Sequence, residues 1–198
     1  MGVEWLLFWS NTGDAIDVRG NDRGLDLGLG DNVEATLEPL TAPAYAVAQG
    51  VFLGGLSAVM ESQYPGIVVP AVGLAFTTLL SLLAAYKSGM IRPTENFKLG
   101  IAAATGGVGL IYLVGFIFSI FGVSLPIYGH GLLGIGFSAV VVVIAALNLV
   151  MDFDFIEEGA ASGAPKYMEW VGAFGLMVTL IWLYIEILHL LAKLSQRD

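Results

Sequence analysis

The sequence contains no cysteine and few charged residues. Among its 198 residues, 13% are Asp, Glu, Lys or Arg, and none is Cys. A chain without cysteine has neither a disulfide framework nor a thiolate metal site. Only eight residues are Lys or Arg against 17 Asp and Glu, and no run of bases occurs. The sequence therefore lacks the positive surface that nucleic-acid binding needs, and we expect no nucleic-acid partner.

Recognisable catalytic motifs are missing as well. The sequence has no HExxH pair of zinc ligands, no GxSxG nucleophile elbow and no Gly-rich phosphate loop that ends in Lys-Ser or Lys-Thr. We therefore expect that the protein is not an enzyme and binds no cofactor. One alternative stays open, an intramembrane hydrolase that uses paired acids. Asp152 and Asp154 share a helix exit, but nothing marks a second, opposed acid.

Long apolar runs are what the sequence has in abundance. Hydrophobic residues make up 57% of the chain, and its mean hydropathy is +0.81. A hydrocarbon core about 30 Å thick needs roughly 20 apolar residues per helix. Runs near that length recur at 44–61, 67–86, 99–121, 132–151 and 166–194. The pattern predicts an all-α, polytopic membrane helix bundle over residues 43–198, with five transmembrane helices in the lipid bilayer.

The first 42 residues have a different composition. They hold eight acids and two bases, so they carry −6 of the net charge of −9. Gly, Asp and Asn dominate residues 10–34, and no apolar period is sustained there. Such a composition cannot bury enough apolar surface to offset the entropy of folding. We expect residues 1–42 to form a poorly ordered acidic segment.

The basic residues predict an orientation for the five spans. Six of the eight lie on the side of the N-terminus, and two, Lys193 and Arg197, lie on the other side. The positive-inside rule places the side with six in the cytoplasm. The start of the chain does not read as a signal peptide, because Glu4 stands where a basic residue is expected.

Acids within or beside the apolar runs are functional candidates, because a charge in the hydrocarbon core is costly. Glu186 lies inside the last run, and His189 follows at i+3 on the same helix face. The two side chains can exchange a proton or pair. The alternative is that both lie near the helix end and face the lipid headgroups.

A second group of acids follows the fourth run. Asn148 and Asp152 share a helix face at i, i+4, and Asp154, Glu157 and Glu158 follow within two turns. Carboxylates at a channel mouth raise the local cation concentration, and their oxygens suit calcium. Glu61, at the end of the first run, is a further mouth acid. The alternatives are an acidic loop after the fourth helix and, for Glu61, an interfacial acid in water.

Four stretches resemble the bacterial branch of the Bax inhibitor family, the transmembrane Bax-inhibitor-motif proteins. They are residues 50–57 (GVFLGGLS), 64–71 (YPGIVVPA), 145–157 (AALNLVMDFDFIE), and 164–170 with 173–186 (APKYMEW and AFGLMVTLIWLYIE). The last two are specific, and the match covers about residues 43–195. The resemblance implies a bundle of about seven helices with the last one central, in a bacterial plasma membrane.

The resemblance also implies a function, a calcium leak across the membrane tuned by pH. In well-known members a pair of aspartates on the last two helices titrates as the gate, and Asp152 falls on the first of them. Leu176 stands where the second is expected, and a leucine cannot pair with Asp152. The family also has about two more helices before the stretch that matches residues 50–57. Their apparent absence would expose the central helix to lipid, which predicts either a homo-oligomer or a loss of activity.

The sequence thus predicts a cation leak pathway, with calcium as the transported ion. Asp152, Glu186 and Asn148 are its expected path and gate residues, and Asp152 is the candidate calcium ligand. The competing hypothesis is a non-transporting membrane scaffold that acts through helix–helix contacts. Its motivation is the Gly50 and Gly54 ridge, which allows close helix approach, together with the missing gate partner.

Overall fold

A computed structural model describes residues 29–122, 127, 129 and 131–196, with side chains described from residue 43. This part of the chain is a bundle of five helices and contains no strand. The helices are α1 (Leu29–Gln63), α2 (Val68–Lys87), α3 (Glu95–Ile120), α4 (Leu132–Ser162) and α5 (Met168–Ser195). Each contains a segment long and apolar enough to cross a membrane. The predicted all-α bundle with five transmembrane helices is confirmed.

Two helices are longer than the sequence pattern predicts. Helix α1 begins at Leu29 rather than at residue 44, so it includes the end of the acidic segment, and its apolar part is Pro43–Gln63. Residues 34–38 (EATLE) contain Glu, Ala and Leu, which are good helix formers. Residues 1–28 of the segment 1–42, which was predicted to be poorly ordered, lie outside the described residues.

Helix α4 continues through the acidic stretch after residue 151, so the alternative of an acidic loop there is wrong. It ends at Ser162 instead of residue 151, and Gly163 follows with φ +67°. A left-handed glycine is a common helix stop because it has no Cβ to clash. Nothing before Gly163 in this stretch breaks a helix, and Phe153 is buried. The acids Asp152, Asp154, Glu157 and Glu158 therefore lie on a helix.

Helix α5 is the centre of the bundle. It packs against α4, α2 and α1, whereas α3 packs mainly against α4. The core joins residues from these helices around the buried side chains of Leu149, Leu183 and Leu188. Along α1, the Tyr45 ring packs at a tilt against the Phe174 ring with centroids 4.9 Å apart, and Ser57 shares a 2.7 Å hydrogen bond with Tyr184. The central last helix that the family resemblance implies is present.

The helix ends follow the expected local chemistry. The Thr94 hydroxyl accepts a 3.3 Å hydrogen bond from the Phe97 N–H, the usual contact of a threonine N-cap. The turn between α1 and α2 contains Gly66 at φ +90°. Pro70 lies in the first turn of α2, where its missing N–H has little cost.

The outward surface of the bundle is apolar, as a lipid-facing surface must be. On α3 alone Leu110, Phe116 and Ile120 are each more than 60% exposed. The Gly50 and Gly54 ridge on α1 is also exposed, and a Cβ at either position would meet nothing within 4 Å. Within the described bundle, the ridge therefore does not hold a neighbouring helix.

The α4–α5 contact tests the packing directly. A Cβ added at Gly172 would lie 2.9 Å from Ile156 Cγ1, so Gly172 permits close approach of the two helices. We expect Gly172→Leu to lower stability by about 1–3 kcal/mol through overpacking. Thermal unfolding in detergent measures this loss. The adjacent Ala173 is exposed, so Ala173→Leu is the matched control, and an equal loss there would contradict the packing argument.

Candidate functional site

Asp152 lies at the α4–α5 contact, near the edge of the membrane. Twenty residues counted from Leu132 reach Met151, and these span about 30 Å, the thickness of the hydrocarbon core. The Asp152 Oδ2 atom is buried and has no hydrogen-bond partner among the described residues. The hydroxyl of Thr179 on α5 is the polar side chain that interacts with the carboxylate. Asp152 is therefore a half-buried acid with one buried oxygen and only part of its hydrogen-bonding capacity used.

Leu176, the residue expected opposite Asp152, has a different role. It is partly buried and packs against the apolar core. Thr179 is three residues further along α5, close to one helical turn, and it is Thr179 that faces Asp152. The carboxylate thus meets a neutral hydroxyl and not a second acid.

The acids that follow Asp152 surround a lysine from α3. Lys98 Nζ lies 2.6 Å from Asp154 Oδ2, 2.9 Å from Glu158 Oε1 and 3.6 Å from Glu95 Oε1. The Tyr86 hydroxyl on α2 donates a 3.2 Å hydrogen bond to Asp154 Oδ1. We call Lys98, Asp154, Glu158 and Tyr86 the Lys98 cluster. It joins α2, α3 and α4 beyond the edge of the apolar region.

The other predicted mouth acids lie apart from each other. Glu157 is exposed on α4 beside the Tyr86 hydroxyl. Glu61 is at the opposite end of the bundle, where its carboxylate accepts hydrogen bonds from the Gly66 N–H (2.7 Å) and the Val68 N–H (3.1 Å). These donors belong to the turn before α2 and to its first residue, which have no partner within the helix. Glu61 therefore caps a helix.

Glu186 is deeply buried on α5, with 4% of its surface exposed. Its Oε1 atom accepts a 2.8 Å hydrogen bond from the Tyr112 hydroxyl and a 3.2 Å hydrogen bond from Trp182 Nε1. Tyr112 reaches Glu186 from α3, which otherwise packs mainly on α4. Neutral donors from two helices thus compensate the Glu186 carboxylate. The alternative that Glu186 faces the headgroups does not hold.

A cavity of about 320 Å³ adjoins Glu186. Its lining residues are Tyr112, Phe137, Ser138, Glu186, His189 and Lys193. His189 is exposed, so the cavity reaches the surface of the bundle. Lys193 Nζ donates to the carbonyl oxygens of Ile127 (3.2 Å) and Gly134 (3.1 Å) and to Ser138 Oγ (2.9 Å). These three oxygens use all the donors of the ammonium group.

Asn148, predicted to lie on the ion path, connects two helices. Its Nδ2 donates to Thr105 Oγ1 on α3 at 2.9 Å and to the Ile144 carbonyl at 2.8 Å. An interhelical hydrogen bond of this kind is a common way to join helices in a membrane. The amide nitrogen is thus directed to α3, whereas Asp152 interacts with α5.

Sequence reasoning missed the partners of the acids. Thr179, Glu186 and Lys193 recur at seven-residue spacing on α5, as do Ser138, Ala145 and Asp152 on α4. Seven residues are nearly two helical turns, so each set lies on one face. This spacing was a signal that could have identified Thr179 and Ser138. Nothing in the sequence indicated that Tyr112 reaches Glu186.

The arrangement favours weak contact with a passing cation over tight metal binding. Among the described residues, no group of three or more His, Cys, Asp or Glu is placed to hold a metal ion. Asp152 offers one carboxylate oxygen without a partner, whereas a calcium cage takes six to eight oxygens. Asp154 is paired with Lys98, so Asp152 and Asp154 are not the opposed pair that an acid protease requires.

The Lys98 cluster is suited to a double-mutant cycle. Lys98 and Asp154 keep only 17% and 15% of their side chains exposed, so removing one partner leaves the other charge poorly solvated. We expect Lys98→Ala and Asp154→Ala each to cost about 1–3 kcal/mol of stability, and the double variant to cost less than their sum. Thermal unfolding of the four proteins checks this. Strict additivity would show that the pair contributes nothing.

Comparison with known proteins now assigns a family. The family model described as Bax inhibitor 1 like matches residues 3–196. Neither the curated proteins nor the solved structures give a match to this chain. The match begins at residue 3, so it includes the acidic N-terminal segment that the motif resemblance left out. With five apolar helices and a family match over nearly its whole length, the chain is an integral, multi-pass membrane protein that belongs to the Bax inhibitor 1 like family.

Proposed function

We propose that this protein is a cation leak pathway in a bacterial plasma membrane, with calcium as the transported ion and Asp152 as the control point. It has no catalytic role in this proposal. The N-terminus and the Lys98 cluster face the cytoplasm, in agreement with the distribution of basic residues.

One observation carries the proposal, the unpartnered Oδ2 atom of Asp152 at the contact of the two most buried helices. An acid inside a membrane protein is costly and usually lies on a substrate or ion pathway. Other charged side chains nearby are compensated: Asp154 by Lys98, and Glu186 by Tyr112 and Trp182. Asp152 differs because one of its oxygens remains available to an ion.

Any pH response of the leak would depend on Asp152 without a second aspartate. Thr179 interacts with Asp152, and Leu176 packs into the core. Protonation of Asp152 would remove a negative charge from the pathway and weaken its attraction for a cation. We therefore expect calcium entry to fall as the pH is lowered through the titration of this single group.

Calcium entry into proteoliposomes at pH 6 and pH 8 tests the proposal. We expect Asp152→Asn, which removes the charge and keeps the shape, to reduce entry several-fold and to abolish the difference between the two pH values. The matched control is Glu169→Gln, the same change at an exposed position on α5, and it should behave as wild type.

The outcomes separate the two parts of the proposal. No calcium entry above that of empty liposomes, from protein shown to be folded, would overturn the leak function. Entry that Asp152→Asn leaves unchanged at both pH values would keep the leak and remove Asp152 from its control.

A second candidate function, the membrane scaffold, is favoured by the exposed glycine ridge. Gly50 and Gly54 lie on the outer face of α1 among the exposed Val47 and Val51. Small residues at i, i+4 allow two membrane helices to approach closely. A second copy of this chain is the partner that this hypothesis requires, and it predicts an oligomer without calcium entry.

The ridge is tested by Gly54→Leu. Because nothing lies within 4 Å of this position, we expect the change to leave the monomer folded and to disrupt an oligomer by blocking close approach. Chemical crosslinking in liposomes, with thermal unfolding as the check of folding, measures both. Gly73 is equally exposed on α2, so Gly73→Leu is the control. A crosslinking pattern that neither variant alters would remove the ridge from assembly.

A further inference from the structure

The polar groups between α4 and α5 are arranged in register. Ser138 on α4 contacts Lys193 on α5, and Asp152 on α4 contacts Thr179 on α5. Ser138 and Asp152 are 14 residues apart on α4, and their partners Lys193 and Thr179 are 14 residues apart on α5 in the opposite order. The two helices therefore run antiparallel, and the two contacts lie at two levels of the same interface. Halfway between these two levels lie Ala145 on α4 and Glu186 on α5, so Glu186 is opposite a small residue.

An apolar layer separates the two polar regions of this contact. Leu149 on α4 and Leu183 on α5 lie between the level of Glu186 and the level of Asp152 and Thr179. Both leucines are fully buried, with 0% exposure, and belong to one core cluster. Seven residues of helix separate Glu186 from Thr179, a rise of about 10 Å. A carboxylate thus lies on each side of the leucine layer, and neither can contact the other.

The two polar regions also lie toward opposite ends of the bundle. The Glu186 cavity reaches the surface at the exposed His189, in the C-terminal half of α5. Asp152 lies two residues before Asp154, in the Lys98 cluster at the other end. An ion that follows the α4–α5 contact would meet one acid, then the leucine layer, then the other acid.

We infer that Leu149 and Leu183 form the barrier of this pathway, a hydrophobic constriction between the Glu186 cavity and Asp152. A narrow apolar segment stops ions because water does not remain in it, and a hydrated ion cannot enter without water. Asp152 and Glu186 attract cations to the two sides of the barrier, and the leucines set how many cross. The inference rests on the proposed leak function, and it assigns the rate-limiting step to residues other than the acids.

Substitution of Leu183 by residues of different polarity tests the barrier. Leu183→Ser and Leu183→Val both shorten the side chain, but only serine can retain water. We expect Leu183→Ser to raise calcium entry into proteoliposomes several-fold and Leu183→Val to leave it close to wild type. Leu149→Ser should repeat the effect from the facing helix. Leu110→Ser, at a lipid-exposed position on α3, is the control and should have no effect.

Two further measurements keep the result specific. Thermal unfolding shows whether each variant is folded, and calcein trapped in the same vesicles shows whether they stay intact. If Leu183→Ser fails to fold, Leu149→Ser is the variant that tests the barrier.

The outcomes distinguish the barrier from the leak function itself. If wild type conducts calcium and both serine variants are folded but conduct no faster, the barrier is overturned and the leak function stands. Serine variants that conduct where wild type does not would support the barrier and overturn the resting leak. Absence of conduction in all folded variants would overturn both. An increase in Leu183→Val equal to that in Leu183→Ser would also overturn the barrier, since size and not polarity would then control the rate.

Discussion

The close antiparallel packing of α4 against α5 is the constraint on which the rest of the structure depends. Gly172 lets the two helices approach, and Leu149 and Leu183 fill the space between them without exposure. Helices α1 and α2 then pack on α5, and α3 packs on α4. Because lipid offers no hydrophobic driving force between helices, this fit and a small number of polar contacts hold the bundle together.

The polar contacts follow from the cost of a charge in a membrane. Lys193 donates to three oxygens around the start of α4, and Glu186 accepts from Tyr112 and Trp182. Lys98 is surrounded by the acids that extend from α4. Each of these charges connects at least two helices of the bundle. Asp152 is the exception, since its Oδ2 atom is buried without a partner in the described part of the chain.

The two ends of the bundle also differ in their charged groups. At the end that carries the N-terminus of α5, acids are concentrated on α4 and are partly neutralised by Lys98. At the other end, a cavity leads to a carboxylate held by aromatic donors. Between them the interior is apolar. In the proposed function, a pathway of this form would attract cations at both ends and resist them in the middle, as a slow leak requires.

The apolar runs alone were enough to predict the five membrane helices, since a run of about 20 apolar residues has few other stable forms. Residue type and position also singled out Asp152 and Glu186 as candidate functional acids. Helix ends were less predictable: α4 continues to Ser162 because neighbouring helices stabilise its acidic turns through Lys98 and Tyr86. Only the tertiary structure decided which residues the acids meet. Thr179 and Tyr112 are distant in sequence from Asp152 and Glu186, and the packing angle and register that join them depend on the fit of whole helix faces.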